Sequence, residues 1–533
     1  MRSKKEPRAM SPSQVPKWNY EADVVVLGFG FAGEVTAITA HDLGANVLIL
    51  EKMDEQRSGG NSRVSGQFVF TPTNEREAAL YLASMNHGFA VPQDMIQQWA
   101  EYMMDNYAWF ERIGGNETIL RMPLKVMPPE FPKSPGSHCS QGWWAKTPAG
   151  LWEFLKAKVI ERRIKVMFET PGQELVQDGG TKRVLGVVAE ERGRKVYVKA
   201  RRAVILCTGG FENNPQMIAD YHHLYDTCTR GTPYNTGDGI KMAQAVGADL
   251  WHMANSMSYL GFKPPGHDFG LKLSMTLGHS FIYIGADNKR FVNEQWPGTH
   301  HGKHEWHGHW FPIFFPLPIH ALFDEKMRLA GPINADREPY APWGWGYQIG
   351  GYVWSDDNSV EIEKGWITQA DTINELAKKI GRSPDAVEET VNKYNEYCAA
   401  GVDPEFGRGL DLKLGRVKAG SGLEPIHEPP YPEFARSSDS ALSGDRARLE
   451  PIDKPPFYAI EAKPQILNTQ GGPRRNKYSQ VLNTKGEPIP GLYSAGELGS
   501  IYSDCYQGGG NIGECIAFGR IAGKYGFLEK PWA

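Results

Sequence analysis

The stretch Glu21–Lys52, EADVVVLGFGFAGEVTAITAHDLGANVLILEK, decides the fold. Val24–Leu27 is an apolar run that reads as a strand buried on both faces. Gly28, Gly30 and Gly33 follow at G-x-G-x-x-G spacing, with Ala32 between them, and a helical pattern continues to Leu43. A second apolar strand, Val47–Leu50, ends in Glu51 and Lys52. The spacing predicts a βαβ unit that binds an ADP moiety. Gly28 permits the tight turn, Gly30 lets backbone approach a pyrophosphate, and Gly33 lets the helix pack on the strand. The helix N-terminus faces the phosphates, and Glu51 stands where a ribose-binding carboxylate is expected. Gly28, Gly30, Ala32, Gly33, Glu51 and Lys52 are therefore the first set of expected cofactor contacts.

Outward from this unit, the bulk properties narrow the class. At 533 residues the chain is long for one domain, and two are expected. Hydrophobic residues make up 41% and charged residues 23%, a globular balance. The net charge of −4 argues against a nucleic-acid partner, which calls for a basic excess. Mean hydropathy is −0.46 and no run of ~18 apolar residues offers a transmembrane segment. The first residues, MRSKKEPRAMSPSQVPKWNY, lack the apolar region of a secretory signal and read as a polar arm, residues 1–20. Six cysteines without a CxxC pair fit free thiols in a reducing cytoplasm.

The remaining chain alternates in character. Arg57–Gln67, RSGGNSRVSGQ, interleaves glycine with small polar residues, as suits a loop offering backbone N–H groups to a ligand. Strand-like alternation follows at Val166–Glu169, Val184–Glu190 and Lys195–Lys199, and an apolar strand then ends in Thr208, Gly209 and Gly210. A helix starts near Asp238 in YNTGDGIKMAQAVGA. From about residue 275 histidine, tryptophan and proline become frequent, and two helices are expected at Thr372–Ile380 and Ser383–Ala400. Dinucleotide-type sequence returns at PIPGLYSAGELGS, and a closing helix is expected from Ile512 to Tyr525. These shifts divide the chain into residues 21–273, an inserted domain 274–449, and a return at 450–533.

The order of these motifs resembles the flavoprotein superfamily of fumarate reductases, succinate dehydrogenase flavoprotein subunits and 3-ketosteroid dehydrogenases. The likeness rests on the first glycine unit with Glu51, then GGNSRVSG, CTGGF, TGDG, KRFVNE, GLYSAGE and the terminal GGGN. It implies an α/β fold: an FAD-binding Rossmann-like domain with an inserted α+β substrate-capping domain. It also implies FAD in extended form. Glu51 would hold the adenosine ribose, and Gly59, Gly60, Asn61, Ser62, Ser65 and Gly66 would line the flavin. Thr208, Gly209, Gly210 and Asp238 would join them, with Glu497 at the ribitol. Gly510, Asn511 and Ile512, at a helix N-terminus, would face the flavin edge and favour negative charge there. Arg57 and Ser58 stand where covalent attachment needs a histidine, so non-covalent FAD is expected.

The same resemblance separates the branches. Fumarate-type enzymes hold a dicarboxylate with arginines and histidines; the matching positions here are Gly298, Asn468 and Gln507. Removing these charges leaves a dicarboxylate without the partners its burial requires. Ketosteroid dehydrogenases instead carry a tyrosine followed four residues later by a glycine, and here these are Tyr506 and Gly510. The implied roles are two donors, the Tyr506 hydroxyl and the Gly510 N–H, on a ketone oxygen that gains charge as an α proton leaves. The implied reaction moves a hydride between the flavin and the β carbon of a cyclic ketone or enone, in either direction, with an external electron donor or acceptor. A homo-oligomer is compatible with this reading. Two alternatives stand beside it: a fumarate- or urocanate-type reductase of an unsaturated carboxylate, and a flavoprotein subunit passing electrons within a complex.

The proton-transfer group stays open between several residues. His300 and His301 lie nearest the position of the missing base, and histidine titrates near neutral pH. Tyr502 lies four residues before Tyr506, and Tyr352 or Tyr347 lies in the Trp- and Gly-rich loop of the inserted domain. His300, His301, His304, His307 and His309 have ligand-like spacing, but with Glu305 as the nearest acid and no cysteine pair no metal is expected. Trp296, Trp306, Trp310, Trp343 and Trp345 could wall an apolar pocket.

Overall fold

The computed structural model describes residues 9–86, 91–115, 129–131, 133–275, 277–294, 301–306, 309–338, 342–408 and 449–532. The chain divides into two compact units, residues 1–223, 234–256 and 468–533 in the first, and 224–233 with 257–467 in the second.

The first unit is built on strand β1, Tyr20–Leu27, helix α1, Phe31–Asp42, and strand β2, Val47–Leu50. Both strands are apolar because both lie inside the sheet, where neither face meets water. Five parallel strands form the core of the sheet. In space they run Lys165–Met167, β2, β1, Arg194–Leu206, Pro488–Ser494. In chain order that is 3-2-1-4-5, the doubly wound arrangement in which the strand order reverses beside β1. The short strand expected at Lys195–Lys199 is part of a longer one. Arg194–Leu206 pairs antiparallel with Val184–Glu191 in its first half and parallel with β1 over Val198–Leu206. The charged half and the apolar half of this segment are thus one strand in two surroundings.

The closing helix, Gly510–Leu528, packs on α1. Its glycines permit this. A Cβ on Gly523 would stand 2.5 Å from the Thr36 carbonyl oxygen, and one on Gly519 would stand 3.0 Å from that of Ala32. The Thr36 hydroxyl donates to the Gly519 carbonyl at 3.1 Å across the contact. A buried ion pair between Arg475 and Glu514 secures the same helix, and Glu514 also accepts from Ile501 N at 2.8 Å.

The second unit centres on a mixed sheet whose long strand, Phe457–Thr469, pairs with Ile319–Asp324, Ile367–Ala370 and Cys228–Thr229. Helices Ile373–Lys379 and Pro384–Ala400 form where expected, and cover Ile282, Leu322 and Ala459. The limits expected from sequence, 274 and 449, fall inside the run 257–467. The reason is the sheet: Ser256–Phe262 and Phe457–Thr469 are neighbouring strands, so the chain on either side of the expected insert belongs to the same layer. The KRFVNE motif is structural here. Arg290 binds Glu294 at 2.7 Å and Asp403 at 2.8 Å, and Arg408 binds Glu294 at 3.3 Å, all buried. Among the described residues, no helix is long and apolar enough to cross a membrane.

Candidate active site

The first turn of the first unit forms as the glycine spacing requires. Gly28 has φ +105°, and a Cβ there would stand 2.3 Å from the Cys207 carbonyl oxygen. Phe29 N donates to Glu51 Oε2 at 2.9 Å and Met53 N to Glu51 Oε1 at 2.8 Å, so the carboxylate is held at the tip of β2. Burial raises its pKa, and the two backbone donors oppose that rise. Lys52 does not point at the same place. Its ammonium binds Asp238 at 2.9 Å and the Tyr234 carbonyl, which joins two residues expected separately as cofactor contacts.

The loop after β2 turns into a short helix, Gly60–Val64, entered through Gly59 at φ +99°. Ser62 Oγ accepts from Phe31 N at 2.9 Å, which binds this loop to the first turn of α1. Gln67 Nε2 donates to the Ser62 carbonyl at 2.7 Å, and Ser65 Oγ donates to the same oxygen at 2.9 Å. Asn61 Nδ2 reaches Glu212 at 2.7 Å and Glu497 at 3.4 Å. Glu212 also accepts from Asn235 at 2.8 Å, and a Cβ on Gly210 would crowd Thr469 Oγ1 at 2.2 Å. Burial pushes the Glu212 carboxyl up to about 7 and the Glu497 carboxyl well above the usual range. Gly209 packs on Asn235, and the Thr208 hydroxyl is buried without a partner among the described residues. Glu212 was missed by the sequence reading, though it adjoins the CTGGF motif.

The closing helix begins at a second glycine turn. Gly509, at φ +80°, caps it, and a Cβ there would stand 2.5 Å from the Phe68 ring. In the first turn both polar side-chain atoms of Asn511 are buried and lack partners among the described residues. Such an amide calls for a polar ligand beside it. With the Gly30 approach to Ser62 and the unpartnered Thr208 hydroxyl, the residues present fit a flavin dinucleotide.

Tyr506 lies beside this turn, 4% exposed. Its oxygen accepts from Asn468 Nδ2 at 3.0 Å, and Asn468 Oδ1 accepts from Gln470 Nε2 at 3.1 Å. Gly510 departs from expectation. Its N–H donates to the Gln507 carbonyl at 2.8 Å, because Gly509 folds the chain into a closed turn at the helix start. Beside Tyr506 stands the Asn468 amide, which the sequence marks only as a missing histidine. Gln507, where an arginine was absent, accepts from Tyr81 at 2.7 Å and from Glu130 N at 2.8 Å. Glu130 in turn accepts from Gly508 N at 2.9 Å.

Tyr502 is fully buried, edge-on to Trp99 and 5.2 Å from the Tyr506 ring. Its hydroxyl has no partner among the described residues and lies 2.8 Å from where a Gly510 Cβ would be. Burial, and then the Glu514 charge, raise its pKa well above the ordinary phenol value, so it holds its proton. In the second unit, Tyr352 donates to Glu361 at 2.5 Å, and burial followed by that bond raises its pKa. His301 is buried there at 5% exposure, and the Tyr347 ring lies in the helix Trp345–Gln348. His300, His307, Trp296 and Gly298 lie outside the described residues. Trp343 lies 5.1 Å from the Arg230 guanidinium, which is paired with Asp336.

Comparison with known proteins accords with this geometry. The FAD binding domain family matches residues 23–512. The chain is 31% identical to a 3-oxosteroid 1-dehydrogenase of Mycobacterium tuberculosis, over 94% of this chain and 97% of that protein. It is 27% identical to a urocanate reductase of Eggerthella lenta, over 94% of this chain and 74% of that protein. The crystal structure of a 3-ketosteroid delta1-dehydrogenase from Sterolibacterium denitrificans, in complex with 1,4-androstadiene-3,17-dione, superposes with a TM-score of 0.72. That match is 23% identical and covers 95% of this chain and 99% of that one, so it establishes the fold. With a dinucleotide turn, a buried ribose-type carboxylate and a match across nearly its whole length, the chain belongs to the FAD binding domain family and is an FAD-dependent oxidoreductase acting on CH–CH bonds.

Proposed function

We propose that the protein removes hydrogen from, or adds it across, the α,β carbon–carbon bond next to the carbonyl of a cyclic ketone, steroid-like or smaller, in the manner of 3-ketosteroid dehydrogenases. The observation that carries this is Tyr506: a buried phenol that receives an amide N–H on its oxygen, with asparagine and glutamine where a carboxylate-binding histidine and arginine would be. Bound FAD supplies the acceptor or donor of the hydride, and an external partner completes the electron balance. Tyr506 donates its O–H to the ketone oxygen and steadies the charge that grows there when the α proton leaves. Glu51 takes the adenosine ribose, and Gly28, Gly30 and Gly33 admit the pyrophosphate. The loop 59–66 and the helix start at Asn511 and Ile512 receive the flavin, and Thr208–Gly210, Asp238 and Glu497 complete the set. FAD is held without a covalent bond. The group that exchanges the α proton is one of those the sequence offers: Tyr502, His300, His301, Tyr352 or Tyr347.

The test is anaerobic mixing of the holoenzyme with 4-androstene-3,17-dione, smaller cyclic ketones, urocanate and fumarate. Bleaching of the flavin band by a saturated ketone, or reoxidation of the reduced enzyme by an enone, is expected. Reoxidation by urocanate or fumarate alone would overturn the ketone reading and favour the carboxylate branch. The 27% identity to a urocanate reductase makes that arm informative.

A further inference from the structure

We infer that Gln470 and Asn468 form a one-way hydrogen-bond relay that directs the Tyr506 hydroxyl proton toward the substrate carbonyl. Both are positioning residues for the reaction proposed above, and the inference rests on that reading. Gln470 is wholly buried, and its backbone is held on both sides: its N–H donates to the Asn255 carbonyl at 2.9 Å and its carbonyl accepts from Ser500 N at 3.0 Å. These bonds fix its backbone, and its side-chain Oε1 is buried without a partner among the described residues. Its Nε2 donates to Asn468 Oδ1, and Asn468 Nδ2 donates to Tyr506 Oη. An amide has an acceptor on one arm and donors on the other. Once the Asn468 oxygen receives Gln470, only its NH₂ faces the phenol.

The consequence lies at Tyr506. A phenol oxygen that accepts an N–H aims its own proton away from that donor. Withdrawal of charge through the chain makes the remaining O–H a stronger donor, and buried chains of this kind polarise one another. The relay also answers for the Gly510 amide, which is bound to Gln507. The second contribution to charge at the ketone oxygen comes through Tyr506 rather than beside it.

A double-mutant cycle with Tyr506→Phe tests the relay on the FAD-loaded full chain. Two quantities are read: the rate of flavin bleaching by 4-androstene-3,17-dione, or by the ketone from the panel above that bleaches best, and the Kd of 1,4-androstadiene-3,17-dione from the shift of the flavin band. Asn468→Leu is expected to slow bleaching on the order of tenfold, the value of one neutral hydrogen bond, with flavin content unchanged. In the Tyr506→Phe background the same substitution adds nothing. Asn468→Asp, equal in size, is expected to lose more than Asn468→Leu, because its carboxylate takes the phenol proton from the substrate. Should Asn468→Leu not retain flavin, Asn468→Asp decides. Equal losses in both backgrounds, no loss in Asn468→Leu, or full activity in Asn468→Asp would overturn the relay alone. An unaffected Tyr506→Phe would overturn the ketone reading, and the relay with it.

Discussion

Two helices of the first unit start at glycine turns, and the missing Cβ atoms avoid different things. Before helix α1 the obstacle is backbone: a Cβ on Gly33 would meet the Gly28 carbonyl oxygen at 2.0 Å, and one on Gly28 would meet that of Cys207 at 2.3 Å. Before the closing helix it is mostly side chains brought from far along the chain. Gly509 faces the Phe68 ring, Gly510 the Tyr502 hydroxyl at 2.8 Å, and Gly513 the end of Met103 at 2.4 Å. A carbonyl oxygen in a central sheet cannot move aside; the end of a side chain can be trimmed. The first turn is thus a fixed frame for a dinucleotide, while the second is shaped by whatever side chains surround it.

The sharpest way to break the contrast is at Gly33. Gly33→Ala is expected to destabilise by on the order of 3 kcal/mol or to abolish flavin binding, with no second-site side-chain change restoring it. The measurement is flavin content and thermal unfolding of purified protein, and a stable yellow Gly33→Ala would show the frame to be soft. At the second turn, Tyr506→Phe should retain FAD yet lose about 10²-fold in kcat/KM for a cyclic ketone, as expected for one oxyanion donor. Gly510→Ala is expected to cost about 1–2 kcal/mol of stability through contact with Tyr502. Adding Tyr502→Phe removes the hydroxyl that is in the way and should restore most of that loss, so non-additive unfolding energies are the outcome to look for. Additive losses would mean that Gly510, like Gly33, answers to backbone.

The smallest effect concerns Glu212, the carboxylate that shares the Asn61 amide with Glu497. The Glu212 pKa is raised from 4.5 to about 7, so the folded chain binds this proton more tightly than the unfolded chain. Its contribution to stability is complete below about pH 4.5 and is lost as pH rises toward 7. Between pH 5 and 7.5 the wild-type holoenzyme should lose about 2 °C of Tm more than Glu212→Gln does. An identical slope in the two proteins would show that Glu212 has no raised pKa.

Legibility in the sequence follows the same division. The Gly28–Gly33 turn, Glu51 and the two helices of the second unit form where expected, because each depends on spacing within one segment. The Gly510 amide departed from expectation because a four-residue turn, Gln507–Gly510 with Gly509 in the left-handed region, took its hydrogen bond. Gln470 and Glu212 carried no local signal, and Asn468 showed only as a missing histidine: each matters through a partner 23 or more residues away, Gln470 by way of Asn468. Gln507 was read as a lost arginine, and the structure shows its partners, Tyr81 and Glu130.

By itself the sequence determined the nucleotide-binding βαβ unit and, through its resemblance to fumarate-type flavoproteins, the motif order of an FAD enzyme and uncharged residues where those enzymes carry arginine and histidine. These follow from glycine spacing, apolar period and residue type, which are properties of short segments. Only the tertiary structure decided which group stands beside Tyr506, which carboxylates share Asn61, and which backbone amides are already bonded. Those depend on hydrogen bonds between segments that meet only after folding, and a hydrogen bond is settled by tenths of an ångström that no spacing along the chain encodes.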